Sequence, residues 1–159
     1  MKRLLAGLLW VCCLALTART AEPAAAVPEH CVARIGGFMG SSYSVELHGD
    51  TLTYTATEAD RRTTRRYEVK PTAAQWREFR QTLDDLGAWH WQKDYPNRGV
   101  DDGTQWLLEV QYADHALKTR GDNNYPDEAG RPNGQPQFTT PFNRYLAAVE
   151  KLTGGQTFR

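Results

Sequence analysis

Apolar and polar residues alternate along much of the first half of this chain. Tyr43, Val45 and Leu47 interleave with Ser44, Glu46 and His48, and Leu52, Tyr54 and Ala56 with Thr51, Thr53, Thr55 and Thr57. A period of two is that of a half-buried β-strand. Gly49-Asp50 between the two runs reads as a hairpin turn, because glycine supplies the positive φ that a tight hairpin requires. A third strand is expected over Thr63 to Lys70, after the charged turn Asp60-Arg61-Arg62.

The period then changes. Trp76, Phe79, Leu83 and Leu86 recur at helical spacing, Thr72 and Gln75 form a capping box, and Gly87 suits the left-handed residue after the last turn. Two more strands follow, Thr104 to Tyr112 and His115 to Arg120, joined at Ala113-Asp114. Thr140 and Pro141 cap a second helix, whose apolar stripe is Phe142, Tyr145, Leu146, Val149 and Leu152. The order β-β-β-α-β-β-α predicts an α+β fold: an antiparallel sheet of about five strands with two helices packed on one face. We expect this unit over residues 41–154, preceded by an N-terminal segment, 27–40, and followed by a tail, 155–159.

The start of the chain has a different pattern. Lys2 and Arg3 precede an apolar run from Leu4 to Leu16, and small residues follow at Ala18 and Ala24-Ala25-Ala26. That is the order of a secretory signal peptide, and a run of about 13 residues falls short of the roughly 20 needed to span a bilayer. Residues 1–26 are therefore read as a cleaved signal, and the protein as periplasmic or secreted with no membrane span afterwards. Neither Cys12 nor Cys13 sits in a lipoprotein box.

Cleavage there would leave Cys31 as a lone thiol, so the fold has no internal disulfide to rely on. It would also leave 16 basic against 18 acidic residues. A charge this close to zero gives no bulk attraction for nucleic acid or anionic membrane.

Two stretches rich in Gly, Pro, Asn and aromatic residues stand out, Trp89 to Gly103 and Gly121 to Gln137. Loops of that composition on a stable scaffold suit a shaped binding surface. The candidate binding residues are Trp89, Trp91, Tyr95, Asn97, Asp102, Asn123 and Tyr125, although the same aromatics would also serve to fill a sheet edge. Asp122, Asn124 and Asp127 offer oxygen ligands for a hard cation, but Pro126 and a missing glycine break the calcium-loop spacing. Four scattered histidines and one cysteine make no zinc pattern.

His90 with Asp101 or Asp102 is the candidate base–acid pair for hydrolysis. No G-x-S-x-G elbow or phosphate-cradling loop occurs, and no cofactor is expected. Arg61, Arg62, Arg65 and Arg66 form a basic cluster, either a partner-facing ribbon or a charged strand edge that discourages aggregation.

Trp89-x-Trp91, Asp102-Gly103-Thr104-x-Trp106 and Gly121-x-Asn123-x-Tyr125-Pro126, with a tryptophan-bearing helix before them, resemble a group of uncharacterised bacterial proteins, many of them exported. The resemblance covers about residues 43–153, departs from the group in the run Asp127 to Gln137, and implies no activity. The sequence thus points to a non-catalytic exported binding module for an envelope protein or a cell-wall glycan. The alternatives are a small periplasmic hydrolase or metal-dependent enzyme, and an inhibitor or immunity-type protein.

Overall fold

A computed structural model describes residues 27–37, 40–97, 99 and 102–159. The signal-peptide reading falls on residues outside this set. The fold is α+β, with seven strands in one mixed sheet and two α-helices. The strands are β1 (His30–Gly37), β2 (Ser42–His48), β3 (Thr51–Thr57), β4 (Thr64–Val69), β5 (Asp94–Tyr95), β6 (Thr104–Gln111) and β7 (Ala116–Asp122). The helices are α1 (Ala73–Asp85) and α2 (Thr140–Leu152), and a short 3-10 turn covers Ala88–His90. Strand order across the sheet is β4-β3-β2-β1-β6-β7-β5.

The expected sheet of about five antiparallel strands is therefore corrected at two places. β1 lies in the stretch 27–40, set apart from the α+β unit by the sequence pattern, yet it occupies the middle of the sheet. Its inward residues, Cys31, Ala33 and Ile35, are mostly small and give a weak hydrophobic signal. They alternate with Val32, Arg34 and Gly36, and β1 pairs antiparallel with β2 on one side and β6 on the other. β5 is only two residues long, too short for any periodicity, and it adds parallel to β7 with Asp94 opposite Arg120.

One face of the sheet is apolar. Cys31, Ala33 and Ile35 stand beside Val110, Leu108 and Trp106 across the β1–β6 ladder, and Val45 and Tyr54 continue the face outward. Side chains from both helices complete this core, Trp76, Phe79 and Leu83 from α1 and Phe142, Tyr145, Leu146, Val149 and Leu152 from α2. The Trp106 ring meets Phe142 at 4.9 Å, and Trp91 meets Tyr145 edge-on at 6.1 Å. α1 starts as the sequence predicts, with Thr72 and Gln75 capping each other's backbone N–H groups, whereas α2 is capped one residue earlier than expected, Thr139 Oγ1 accepting from the Phe142 N–H with Pro141 in the first turn.

The chain end also belongs to this core. Phe158 is fully buried against Tyr43, the Tyr54 hydroxyl donates to the Thr157 carbonyl at 2.6 Å, and Glu150 accepts from the Phe158 N–H and from Arg159. No helix among the described residues is long and apolar enough to cross a membrane.

Candidate functional site: the open face of the sheet

The side of the sheet away from the helices is polar, because the same alternation that buries one set of residues turns the other set outward. β1 presents Arg34, β2 presents Ser42, Ser44 and Glu46, and β3 presents Thr51, Thr53, Thr55 and Thr57. β6 adds Gln105, Leu107 and Glu109, and β7 adds Lys118, Arg120 and Asp122. No element among the described residues lies over this face.

The face forms an open, concave hollow of about 1040 Å³. Its floor and walls include Arg34, Ser44, Thr55, Leu107, Arg120 and Gln105. Two ion pairs line it: Arg34 to Glu46 at 2.5 Å and Arg120 to Asp94 at 2.5 Å. At one end Arg61 reaches from the β3–β4 turn and donates to the Gly37 carbonyl at 2.9 Å. Arg61 takes a left-handed φ of 58°, in a turn that Asp60 braces by accepting from the N–H groups of Arg62 and Thr63. Those two donors hold the Asp60 carboxyl below its ordinary range.

The predicted loop residues are distributed along the sheet edge. The run from Trp89 begins at the β6–β7 turn, follows β7 through β5, and arrives at the opposite end of the sheet at Asn97. It meets the second loop where the Tyr95 hydroxyl donates to the Gly130 carbonyl at 2.6 Å, and again where Asn97 Nδ2 donates to the Asn123 carbonyl at 3.1 Å and Asn124 Nδ2 to the Pro96 carbonyl at 2.9 Å.

Most of the candidate binding aromatics face inward. Trp91, Tyr95 and Tyr125 are 5 %, 1 % and 0 % exposed. Side chains this buried offer almost no area to a partner. Trp89 is half-buried, donating to Asp84 at 2.6 Å and stacked on the Arg80 guanidinium. Asn123 is buried with a left-handed φ of 43°, its Oδ1 accepting from the Thr104 N–H at 2.7 Å. Trp106 Nε1 donates to the Asn124 carbonyl at 2.9 Å, and a Cβ on Gly121 would run into that indole. The motif residues thus knit one another together, and this mutual packing explains their spacing. Of the candidate set, Asp102 lines the concave face with Asp122 beside it, and Tyr95 borders it while its ring packs on Trp106 in the core.

The catalytic and metal candidates find few partners. Asp101 lies outside the described residues. His90 closes the 3-10 turn through its backbone, and no described carboxylate forms an ion pair with it. Asp127 is engaged in its own loop, accepting from the N–H groups of Ala129 and Arg131 and from the Arg131 side chain, which holds its carboxyl below the usual range. The Asn124 side chain is likewise committed, to Pro96 and to the Gly134 N–H. Among the described residues no three His, Cys, Asp or Glu side chains gather as a metal site would require. Cys31 is buried under the helices, and burial pushes its thiol up to about 12.

The open face itself gave a signal in the sequence. The Thr-x-Thr-x-Thr-x-Thr run of β3 marks one side of a strand as entirely hydroxyl-bearing, while the aromatic motifs drew attention elsewhere. No family model matches this chain, and no curated protein matches its sequence.

Proposed function

We propose that the protein is an exported, non-catalytic binding module that engages its partner with the open face of the sheet. Export is read from the N-terminal pattern of Lys2-Arg3, the apolar run and the alanines. The observation that carries the binding role is a polar sheet face over which no described element packs, while the aromatic loop motifs are consumed by the core. An inhibitor or immunity-type protein would use this same surface and would differ only in its partner. Catalysis draws less support from the lining. No histidine or cysteine is among the described cavity residues, and two of its carboxylates sit in ion pairs with arginine.

Capture from an envelope extract tests the assignment. The full chain, its Ser44→Arg variant and an Arg77→Ala control on the outer side of α1 are used side by side. Ser44→Arg places a long charged side chain in the middle of the hollow and is expected to lose whatever the other two retain. Equal capture by all three proteins would move the binding surface off this face.

A further inference from the structure

We infer that the open face takes a neutral, hydroxyl-rich glycan chain, held by two Arg–carboxylate pairs and by the ladder of Ser and Thr hydroxyls beside them; this rests on the reading of that face as the ligand site.

Charge excludes the strongly ionic alternatives first. The hollow carries Arg34, Arg61 and Arg120 together with Glu46, Asp94, Asp102 and Asp122. Signs so interleaved repel some part of any polyanion and some part of any polycation. A neutral ligand meets neither penalty.

The paired side chains then set what a neutral ligand must look like. Arg34 stands opposite Leu107, and Leu107 opposite Arg120, so the two arginine positions lie two strands apart in one row, roughly 10 Å across the ladder. A guanidinium has five N–H donors and a carboxylate about four acceptor sites, so each pair keeps unused donors and acceptors next to one another. Arg34 and Arg120 side chains are 57 % and 72 % exposed, which leaves those groups within reach of a ligand. A sugar's adjacent hydroxyls each donate and accept, and so satisfy both members of such a pair at once. A phosphate or sulfate only accepts and would leave the carboxylates facing like charge.

Beside the Arg34–Glu46 pair, on β2 and β3, runs a hydroxyl ladder. Ser42 lies opposite Thr57 and Ser44 opposite Thr55, with Gln105 on the far side of β1. Hydroxyl groups take either hydrogen-bonding role, which suits a ligand that does the same. Leu107 gives a small apolar floor at the centre for the C–H face of a ring.

A protein partner finds less to hold. Tight protein interfaces centre on buried aromatic or large apolar anchors. Among the described residues the exposed large hydrophobics are Val27 and Tyr67, and neither lines the hollow.

The test titrates the purified full chain with maltotriose, with tri-N-acetylchitotriose and, as a charged control, with dextran sulfate, followed by calorimetry and heteronuclear NMR. We expect one neutral trisaccharide to shift the amide signals of Arg34, Ser44, Leu107 and Arg120. Arg34→Met and Arg120→Met should each weaken it about tenfold or more. Ser44→Ala, which removes only a hydroxyl, should weaken it several-fold in a folded protein, and Tyr67→Ala should not. Affinity should change less than about twofold between about 0.05 and 0.5 M salt.

Tighter binding of dextran sulfate than of either neutral sugar, or no binding of either sugar, would overturn the glycan class. If an envelope protein then leaves its footprint on Arg34, Ser44 and Arg120, the glycan inference fails and the open-face reading stands. A ligand footprint on another surface brings down both.

Discussion

Asn123 and Thr104 hold each other by two hydrogen bonds, the Asn123 N–H donating to the Thr104 carbonyl at 2.9 Å and the Thr104 N–H to Asn123 Oδ1 at 2.7 Å. Asparagine is among the few residues that tolerate the left-handed backbone this position adopts. Its side chain also fills the space beside Gly103, where a Cβ would collide with the amide. Asn123→Ala should cost about 2–3 kcal/mol, from unsatisfied buried groups and the backbone conformation together. Asn123→Asp, which keeps the acceptor, should cost clearly less. Urea unfolding of the two variants checks the order, and equal losses would mean that Oδ1 contributes little.

Gly121 is where the backbone of β7 touches the face of Trp106. A Cβ there would enter the indole and lie 2.6 Å from the Asn124 carbonyl. Both neighbours are rigid parts of the core, so Gly121→Ala should destabilise the fold by about 3 kcal/mol and alter the environment of Trp106. Thermal unfolding and near-ultraviolet circular dichroism report the two effects. An alanine variant as stable as the parent would show that β7 can move away from β6.

Phe158 lies beyond the region in which the sequence pattern places the fold, and is fully buried within it. Phe158→Ala should cost about 3–5 kcal/mol, the range for emptying an aromatic site in a core. Arg159→Ala, which removes only an exposed ion pair with Glu150, should cost about 1 kcal/mol or less. Comparable losses from both would contradict the tail's role as a core element.

Arg80 is sandwiched between the rings of Trp89 and Tyr112, at 4.8 and 4.6 Å, and donates to both oxygens of Asp114 at 3.0 and 2.9 Å. This guanidinium, aided by His115, holds the Asp114 carboxyl well below its ordinary 3.8. A carboxyl depressed in the folded state stabilises fully above its ordinary value. That contribution is lost as pH falls below it toward the folded value. Stability should therefore decline on acidification below about pH 4, and Asp114→Asn should flatten part of that decline while lowering stability at neutral pH. Denaturant midpoints taken across the acid range decide it, since an unchanged slope in Asp114→Asn would place the sensitivity at other carboxylates.

What the sequence shows of this fold follows the strength of local periodicity. The β2–β3 hairpin, α1 with its capping box, the β6–β7 pair and α2 each carry a repeated pattern over six residues or more, and each forms where expected. β1 has the same alternation but spends it on Cys31 and Ala33, and its proximity to the signal-like segment set it aside. β5 has two residues and exists only because β7 offers an edge. The aromatic motifs were visible, but sequence cannot tell an aromatic that meets a ligand from one that meets Trp106. The open face was written into β3 by its threonines. That neither helix covers it is decided by where α1 and α2 pack, a long-range outcome that no window of sequence contains.

The position of β1 has a consequence for the order of events as the chain is made. The β2–β3–β4 meander needs only neighbours a few residues away, so it can zip as soon as it emerges. Its inner flank pairs with β1, and the far side of β1 has no partner until β6 exists. Gln111, at the end of β6, donates to Glu29, 82 positions earlier. Closing so long a loop is slow compared with forming a hairpin. The first strand synthesised thus keeps one side bare through most of translation, and the nascent chain stays unjoined along the line that becomes its centre.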